Sequence, residues 1–278
     1  MFFAQLKNEL WKLFGKKRTY IGFGAFVLAQ MAMLLAFRFT RWENDLGRML
    51  ASNGYLPGEF ISALTVSVVM LIPQIILLMP LYTTLVGGDL VAKEYEDGTL
   101  RMILSRPISR VRLLLVKWFA GIIFAVGLVV VLGATALGLA SLFFPWKGMF
   151  VFVPGQAFSI LPAGEGLMRY AFAHLFLALN AGVMLSVAFM FSCFNMKPAA
   201  ATIVALSYLF INVVMEGIPF FDRYEDWFIT HHFRCWLHVL QNPVPWAQIV
   251  QSESVLLGVC ASAFVVGSVV FYTRDIKS

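Results

Sequence analysis

The sequence predicts an all-α, polytopic membrane protein with six transmembrane helices, on the basis of its composition and its patterning. Of the 278 residues, 60% are hydrophobic and 13% are charged, whereas about 25% of the residues in a soluble domain are charged. Six apolar runs approach the length of about 20 residues that crosses a bilayer. The net charge of +6 comes from basic residues in the gaps between these runs, a distribution that argues against nucleic acid as a partner.

The first predicted element is an interfacial elbow helix in residues 1–18. Its apolar residues share one stripe, whereas Lys7, Lys12 and Lys16 face elsewhere and Trp11 stands at the border. A helix with this pattern lies in the plane of the membrane with its apolar face toward lipid. Docking on a partner protein is the alternative, and the two contacts need not exclude each other. The stripe consists of Phe3, Leu6, Leu10, Leu13 and Phe14.

The six apolar runs define the predicted transmembrane spans. The fifth run is short, so we expect either local thinning of the bilayer or a span completed by residues near Glu216. The predicted spans are Tyr20–Phe37, Ser62–Val86, Trp118–Phe144, Met168–Phe191, Ala199–Met215 and Val255–Tyr272.

The basic residues predict the orientation of the spans in a cell inner (cytoplasmic) membrane. With six spans, both termini lie on one side, together with the loops after spans two and four. Of the 21 Lys and Arg residues, 7 fall on the opposite side: Arg38, Arg41, Arg48, Lys147, Arg169, Arg223 and Arg234. The remaining 14 lie on the side of the termini, which the positive-inside rule makes cytoplasmic.

The longest polar segment on the predicted cytoplasmic side is 87–117. Leu100, Ile103 and Leu104 make an apolar stripe beside acidic residues, and we expect this stripe to be exposed and to mark a partner. Pro107 must end a helix that arrives from its N-terminal side. We therefore expect a short amphipathic helix that extends from span two, breaks near Pro107 and is followed by a helix into span three. Such a joint could transmit motion from a cytoplasmic partner; the alternative is a solvated loop whose charges only fix topology.

The two long loops on the outer side have different patterns. Residues 216–253 are rich in aromatic residues and are punctuated by Pro219, Pro243 and Pro245. This composition predicts an outer re-entrant segment, with short helices that dip into the outer leaflet before span six. Residues 147–166 contain several Gly and Pro residues and are expected to form an irregular connection.

Other classes of membrane protein leave weaker signals in the sequence. The spans hold no acidic pair and no zinc-protease motif. The spacing His231-His232-x-x-Cys235-x-x-His238 would put three possible ligands on one helix face, but its aromatic neighbours favour a membrane-skimming segment, so we predict no metal site.

A channel or secondary carrier is the stronger alternative. Its candidate pathway residues are Gln74, Asn180 and Asn212, which are all neutral, whereas ion coupling usually requires buried charge.

The polar segment 87–117 also resembles a family signature. The run Glu94-x-x-x-Gly98-Thr99-Leu100, then Leu104-Ser105-Arg106-Pro107-Ile108-Ser109-Arg110, then Lys117, resembles the signature of ABC-2 type transporter permeases. The opening Leu6-Lys7-Asn8-Glu9-Leu10-Trp11-Lys12-Leu13 is similar to that family's elbow helix, and the basic close of the chain is similar to its tail. Arg106 departs from the family pattern, so the resemblance assigns it no role.

The resemblance implies a single permease domain over 1–278, which acts in ATP-driven export. It implies partnership with a second permease, identical or paralogous, with membrane lipid, and with cytoplasmic ABC ATPase subunits that bind ATP and Mg²⁺. This chain would itself need no cofactor and have no catalytic residue, since it contains no Gly-x-x-x-x-Gly-Lys-Ser/Thr sequence. The implied ATPase-coupling residues are Glu94, Glu96, Gly98, Thr99, Leu100, Leu104, Pro107 and Arg110, and the implied elbow-helix residues are Leu6, Glu9, Leu10 and Leu13.

Overall fold

A computed structural model describes residues 2–105, 108–153 and 157–273. Six of its helices are long and apolar enough to cross a membrane, which confirms the predicted all-α fold class and a multi-pass membrane protein. The six are Lys17–Phe39 (α2), Ala63–Glu96, Arg110–Phe143 (α8), Ala163–Ser192 (α9), Pro198–Glu216 (α10) and Trp246–Thr273 (α13).

The helices extend beyond the predicted spans, most of all at the end of span two, which continues to Glu96, and at the starts of spans three and six. α8 begins at Arg110 rather than Trp118, and α13 begins at Trp246 rather than Val255. The added turns are amphipathic, so hydropathy does not register them, although their backbone continues the same hydrogen-bond ladder. As a consequence, 246–253 belongs to the last long helix and not to the outer segment.

The second long helix changes its winding halfway along. It consists of α5 (Ala63–Pro73), one π-helical turn (Gln74–Leu78) and α6 (Met79–Glu96). Pro73 has no backbone N–H to donate, and a helix that contains proline is often relieved by such a local change. Ser62 caps the start of α5 by accepting a hydrogen bond from Thr65 N.

Span two and span three are joined at one end of the bundle, which we call the α1 end because α1 (Phe2–Phe14) packs there against α8. α6 ends at Glu96, a turn at Asp97 and Gly98 follows, and α7 occupies Thr99–Leu104. The expected continuous helix up to the region of Pro107 is therefore wrong, because the chain first turns at Gly98, whose φ is +71°. Pro107 itself lies outside the described residues.

The opposite end, which we call the hairpin end, is more structured than expected. α3 (Trp42–Ser52) and α4 (Pro57–Phe60) connect the first two spans. The strands β1 (Met149–Val153) and β2 (Ala157–Leu161) form an antiparallel pair with Met149 opposite Leu161. The expectation of an irregular connection was wrong here, because both segments are rich in the β-branched and aromatic residues that favour strands.

The aromatic segment before the last span contains three short helices: a 3-10 helix (Pro219–Trp227), α11 (Ile229–His232) and α12 (Cys235–His238). α9 is the most buried of the long helices and packs against α6, α8, α10 and α13. Gly87 on α6 permits a close approach to the backbone of α9, since a Cβ there would lie 2.4 Å from the Leu185 carbonyl oxygen.

Candidate functional site

The site begins with α1, whose apolar stripe packs against the body of the protein. Leu13 is buried, and Leu6 and Leu10 are partly buried against the core. Phe3 and Trp11 remain exposed, at 82% and 72%, and Trp11 borders the groove described below. The stripe predicted to face lipid thus lies largely on the chain's own helices, while two large apolar side chains on α1 stay outside.

Four charged side chains from α1, α6 and α8 meet at this end and form what we call the ion cluster: Glu9, Lys12, Glu94 and Lys117. Lys117 Nζ lies 2.7 Å from Glu94 Oε1 and 3.0 Å from Glu9 Oε2. Lys12 Nζ lies 2.7 Å from Glu9 Oε1 and 3.0 Å from Glu94 Oε1. The Lys117 side chain is only 2% exposed. Two carboxylates balance two ammonium groups, which is the condition under which charges tolerate burial.

The electrostatics of α1 favour the charged state of this cluster. Burial works to raise the pKa of Glu9, but the nearby charges of Lys117 and Lys12 outweigh burial and lower that pKa below its ordinary value. Burial likewise works to lower the pKa of Lys12, but its hydrogen bond to Glu9 and the charges of Glu9 and Glu94 raise it. Both groups are therefore ionised at neutral pH, and α1 is held by charge-assisted hydrogen bonds.

A groove of about 860 Å³ opens beside the ion cluster. Its walls come from α1, the end of α6, α7 and the start of α8, and the cluster lines part of it. Met102 on α7 also lines the groove and is 67% exposed. The groove therefore combines charged groups with an exposed apolar side chain.

The predicted coupling residues divide between this groove and the core. Gly98 occupies the left-handed region that favours glycine, and Thr99 donates from Oγ1 to the Glu94 carbonyl, at 3.2 Å. Leu100 is 1% exposed, so the expectation of an exposed stripe containing Leu100 was wrong: its helix turns that residue into the chain's own core. The side chain of Leu104 and the whole of Pro107 lie outside the described residues.

Glu96 and Arg110 lie outside the ion cluster. Glu96 accepts a hydrogen bond from Lys93 at 2.8 Å on the exposed surface. Arg110, the first residue of α8, donates to the Tyr272 carbonyl at 3.0 Å and to the Phe271 carbonyl at 3.4 Å. These carbonyls belong to the last turn of α13, where backbone acceptors lack helical partners and attract cations. Arg110 thus connects the third span to the sixth.

The three candidate pathway amides bond mainly to backbone. Gln74 Nε2 donates to the Met70 carbonyl at 3.0 Å within the second long helix. Asn212 Nδ2 donates to the Tyr208 carbonyl at 2.8 Å, and Asn212 Oδ1 accepts from Ile229 N at 3.3 Å. Asn180 Nδ2 donates to the Phe233 carbonyl of the outer segment at 2.9 Å.

Sequence reasoning missed the roles of Lys117 and Lys12, and also an ion pair between Arg18 and the buried Asp89. The sequence contains one signal for these ion pairs, which is the position of Lys117 and Asp89 along the chain. Lys117 and Asp89 stand beside apolar runs that enter the membrane, where a charge is costly unless a partner lies nearby. The partner of such a residue is therefore worth seeking among the charges of the other chain segments on that side.

The His and Cys residues of the outer segment have separate contacts. His232 is buried between the Ser252 hydroxyl, at 3.1 Å, and the Asp226 carbonyl, at 2.9 Å. Cys235 Sγ lies 2.8 Å from Glu253 Oε1, and burial, together with this carboxylate, raises the pKa of the thiol. Among the described residues, no group of three or more His, Cys, Asp or Glu side chains is arranged to hold a metal ion.

The six apolar helices define a multi-pass α-helical membrane protein. Residues 12–224 match the model of the ABC-2 family transporter proteins, and the chain therefore belongs to that family. It is also similar to "Uncharacterized protein YhcI" of Bacillus subtilis (strain 168), with 34% identity over 65 residues. That match covers 23% of this chain and 21% of the length of the relative.

Proposed function

We propose that this chain is the permease subunit of an ATP-binding cassette exporter. Its membership of the ABC-2 family supports a transport role. The 278 residues contain no phosphate-binding loop of the Gly-x-x-x-x-Gly-Lys-Ser/Thr type, so ATP and Mg²⁺ are assigned to a separate ATPase subunit. The α1 end faces the cytoplasm in this proposal, a second permease completes the pathway, and Phe3 contacts lipid.

The observation that carries the coupling role is the ion cluster beside the groove. Lys117 joins α1 to α6 through Glu9 and Glu94, so these two helices and α8 cannot move independently at this end without breaking buried ion pairs. A subunit seated in the groove would press on α7 and α1. The cluster would then transmit that displacement into spans two and three, where it changes the transport pathway.

The test uses a residue that is exposed in the groove, so its substitution should leave the fold intact. Met102→Asp places a charge on the proposed docking surface, and Phe158→Asp, at a side chain 47% exposed at the hairpin end, is the matched control. Each variant is co-expressed with the cognate ABC ATPase and purified in detergent. Loss of an interface anchor typically costs about 2 kcal/mol or more, so Met102→Asp should lower ATPase recovery at least tenfold while the control does not. Equal recovery with both variants would contradict docking at this groove.

A further inference from the structure

Three consecutive basic residues lie where α1 ends and α2 begins, and we call Lys16, Lys17 and Arg18 the basic corner. Arg18 pairs with the buried Asp89. Lys17 is exposed and Lys16 is partly exposed, and neither forms an ion pair with any carboxylate of the described residues. The first turn of α2 contains no acidic residue. The basic corner therefore carries positive charge that this part of the chain does not neutralise.

The carboxylates at the α1 end already have other partners. Within the described ranges, each of them pairs with a lysine or arginine other than Lys16 and Lys17: Glu9, Asp89, Glu94, Glu96 and Asp97. Burial lowers the pKa of Lys16, and the nearby charges of Arg18 and Lys117 lower it further. An anion bound at the corner would relieve this repulsion.

The basic corner stands at the end of an exposed apolar stripe on α2. Ile21 lies one helical turn after Lys17, and Leu28 and Leu35 continue the stripe at intervals of seven residues; all three are exposed. Tyr20, on the same side of the first turn, is also exposed. Because α2 is long and apolar enough to cross a membrane, this stripe is placed against acyl chains, and Tyr20 and Lys17 at its end are placed at the level of the headgroups.

We propose that the basic corner binds the headgroup of an anionic phospholipid, with the ammonium groups of Lys16 and Lys17 donating hydrogen bonds to its phosphate oxygens and an acyl chain lying along the stripe of α2. Charge complementarity selects an anion, and the adjoining stripe selects a lipid over a soluble phosphate. The same geometry holds in either orientation of the chain in the membrane. The proposal does not depend on the transport role or on an ATPase.

The experiment measures lipid binding to the full-length chain in a non-ionic detergent. Native mass spectrometry during titration with phosphatidylglycerol, or with phosphatidylcholine of the same acyl chains, gives an apparent Kd for each lipid. Lys16 also lines the groove, so no ATPase is present and the result is independent of the docking proposal. A basic residue near an anionic surface contributes about fivefold in affinity. We therefore expect phosphatidylglycerol to bind about tenfold or more tightly than phosphatidylcholine, and soluble glycerol phosphate at the same concentration not to displace it.

Two variants and a matched control locate the binding. Lys16→Gln/Lys17→Gln should weaken phosphatidylglycerol binding by about tenfold or more, and Lys17→Gln alone, at an exposed position, by about fivefold. Neither should change the binding of phosphatidylcholine. The control, Arg41→Gln/Arg223→Gln, removes two exposed charges at the hairpin end that form no ion pair with the described residues, and it should leave the lipid preference intact.

Three results would overturn the proposal. The first is equal binding of the two lipids by the parent chain, which would mean that the lysines only fix the topology. The second is an equal loss of phosphatidylglycerol binding in the corner variant and in the control, since the effect would then be one of net charge. The third is displacement of the lipid by glycerol phosphate, which would make the site one for soluble phosphate.

Discussion

Lys117 on α8 and Glu94 on α6 form an ion pair between successive membrane-spanning helices, with 2.7 Å between Nζ and Oε1. The Lys117 side chain is only 2% exposed, and the Glu94 side chain is 15% exposed. Each charge is therefore stabilised by its neighbours in the ion cluster more than by water. Removal of one member should cost more than removal of an equally close pair on the surface.

Lys117→Met tests this directly. The substitution leaves two partly buried carboxylates with Lys12 as their one close cation in the cluster, and breaking a buried pair in this way typically costs about 3–5 kcal/mol. We expect a correspondingly large fall in the unfolding temperature measured in detergent. Lys93→Met is the control, because Lys93 pairs with Glu96 and Asp97 at the exposed surface; it should change the transition little. Similar transitions for both variants would show that the cluster does not stabilise the fold.

The docking of α1 should depend on pH at both extremes. The pKa of Glu9 is lowered in the folded protein, so its contribution to stability is fully present above its ordinary value of 4.5 and is lost as pH falls through the lower, folded-state value. The pKa of Lys12 is raised, so its contribution is fully present below 10.5 and is lost as pH rises through the higher, folded-state value. Between these limits the position of α1 should not change.

Spin labels at Lys7→Cys and Val111→Cys, in a cysteine-free background, would report the distance from α1 to α8. The distance distribution should stay narrow from pH 5 to 9 by the titration argument, and it should broaden in acid. Glu9→Gln removes the titrating group and should broaden the distribution already at neutral pH, with a weaker acid response. A distribution that is narrow and unchanged at every pH in both proteins would mean that Glu9 does not hold α1.

Gly87→Ala should destabilise the packing of the second long helix against α9. The added methyl group would lie 2.4 Å from the Leu185 carbonyl oxygen and 3.0 Å from Ala188 Cβ, and forced overpacking of this kind costs about 1–3 kcal/mol. The unfolding temperature should fall. Gly127→Ala, on α8 with no atom within 4 Å of the new Cβ, should leave it unchanged or raise it, since alanine favours the helix. Equal effects would argue against close packing at Gly87.

Single cysteines at Lys7 and Asn53, again in a cysteine-free background, test the orientation. These positions lie at the α1 end and the hairpin end, and both side chains are exposed. The excess of basic residues at the α1 end predicts that a membrane-impermeant thiol reagent, applied to intact cells, labels Asn53→Cys and not Lys7→Cys. The reverse pattern would invert the topology and remove the cytoplasmic docking surface.

The sequence predicted the six spans because apolar length is itself the physical requirement for crossing a bilayer. The helix ends were harder to predict, because the first turns of α8 and α13 are amphipathic and lie outside the apolar runs. The turn at Gly98 breaks the expected helix earlier than Pro107, and the burial of Leu100 depends on how α7 folds back after that turn. The ion cluster could not be predicted from local pattern, because Glu9 and Lys117 are 108 residues apart and meet only after α1 packs on α8.

The π-helical turn at Gln74–Leu78 has a consequence for the phase of the second long helix. One extra residue in the turn rotates everything that follows by about 100° relative to an uninterrupted α-helix. Before the turn, α5 packs mainly against α8; after it, α6 packs mainly against α9 and α10. The extra residue therefore allows one continuous helix to present different sides to different neighbours along its length. It also determines that the side of α6 that carries Gly87 faces Leu185 on α9.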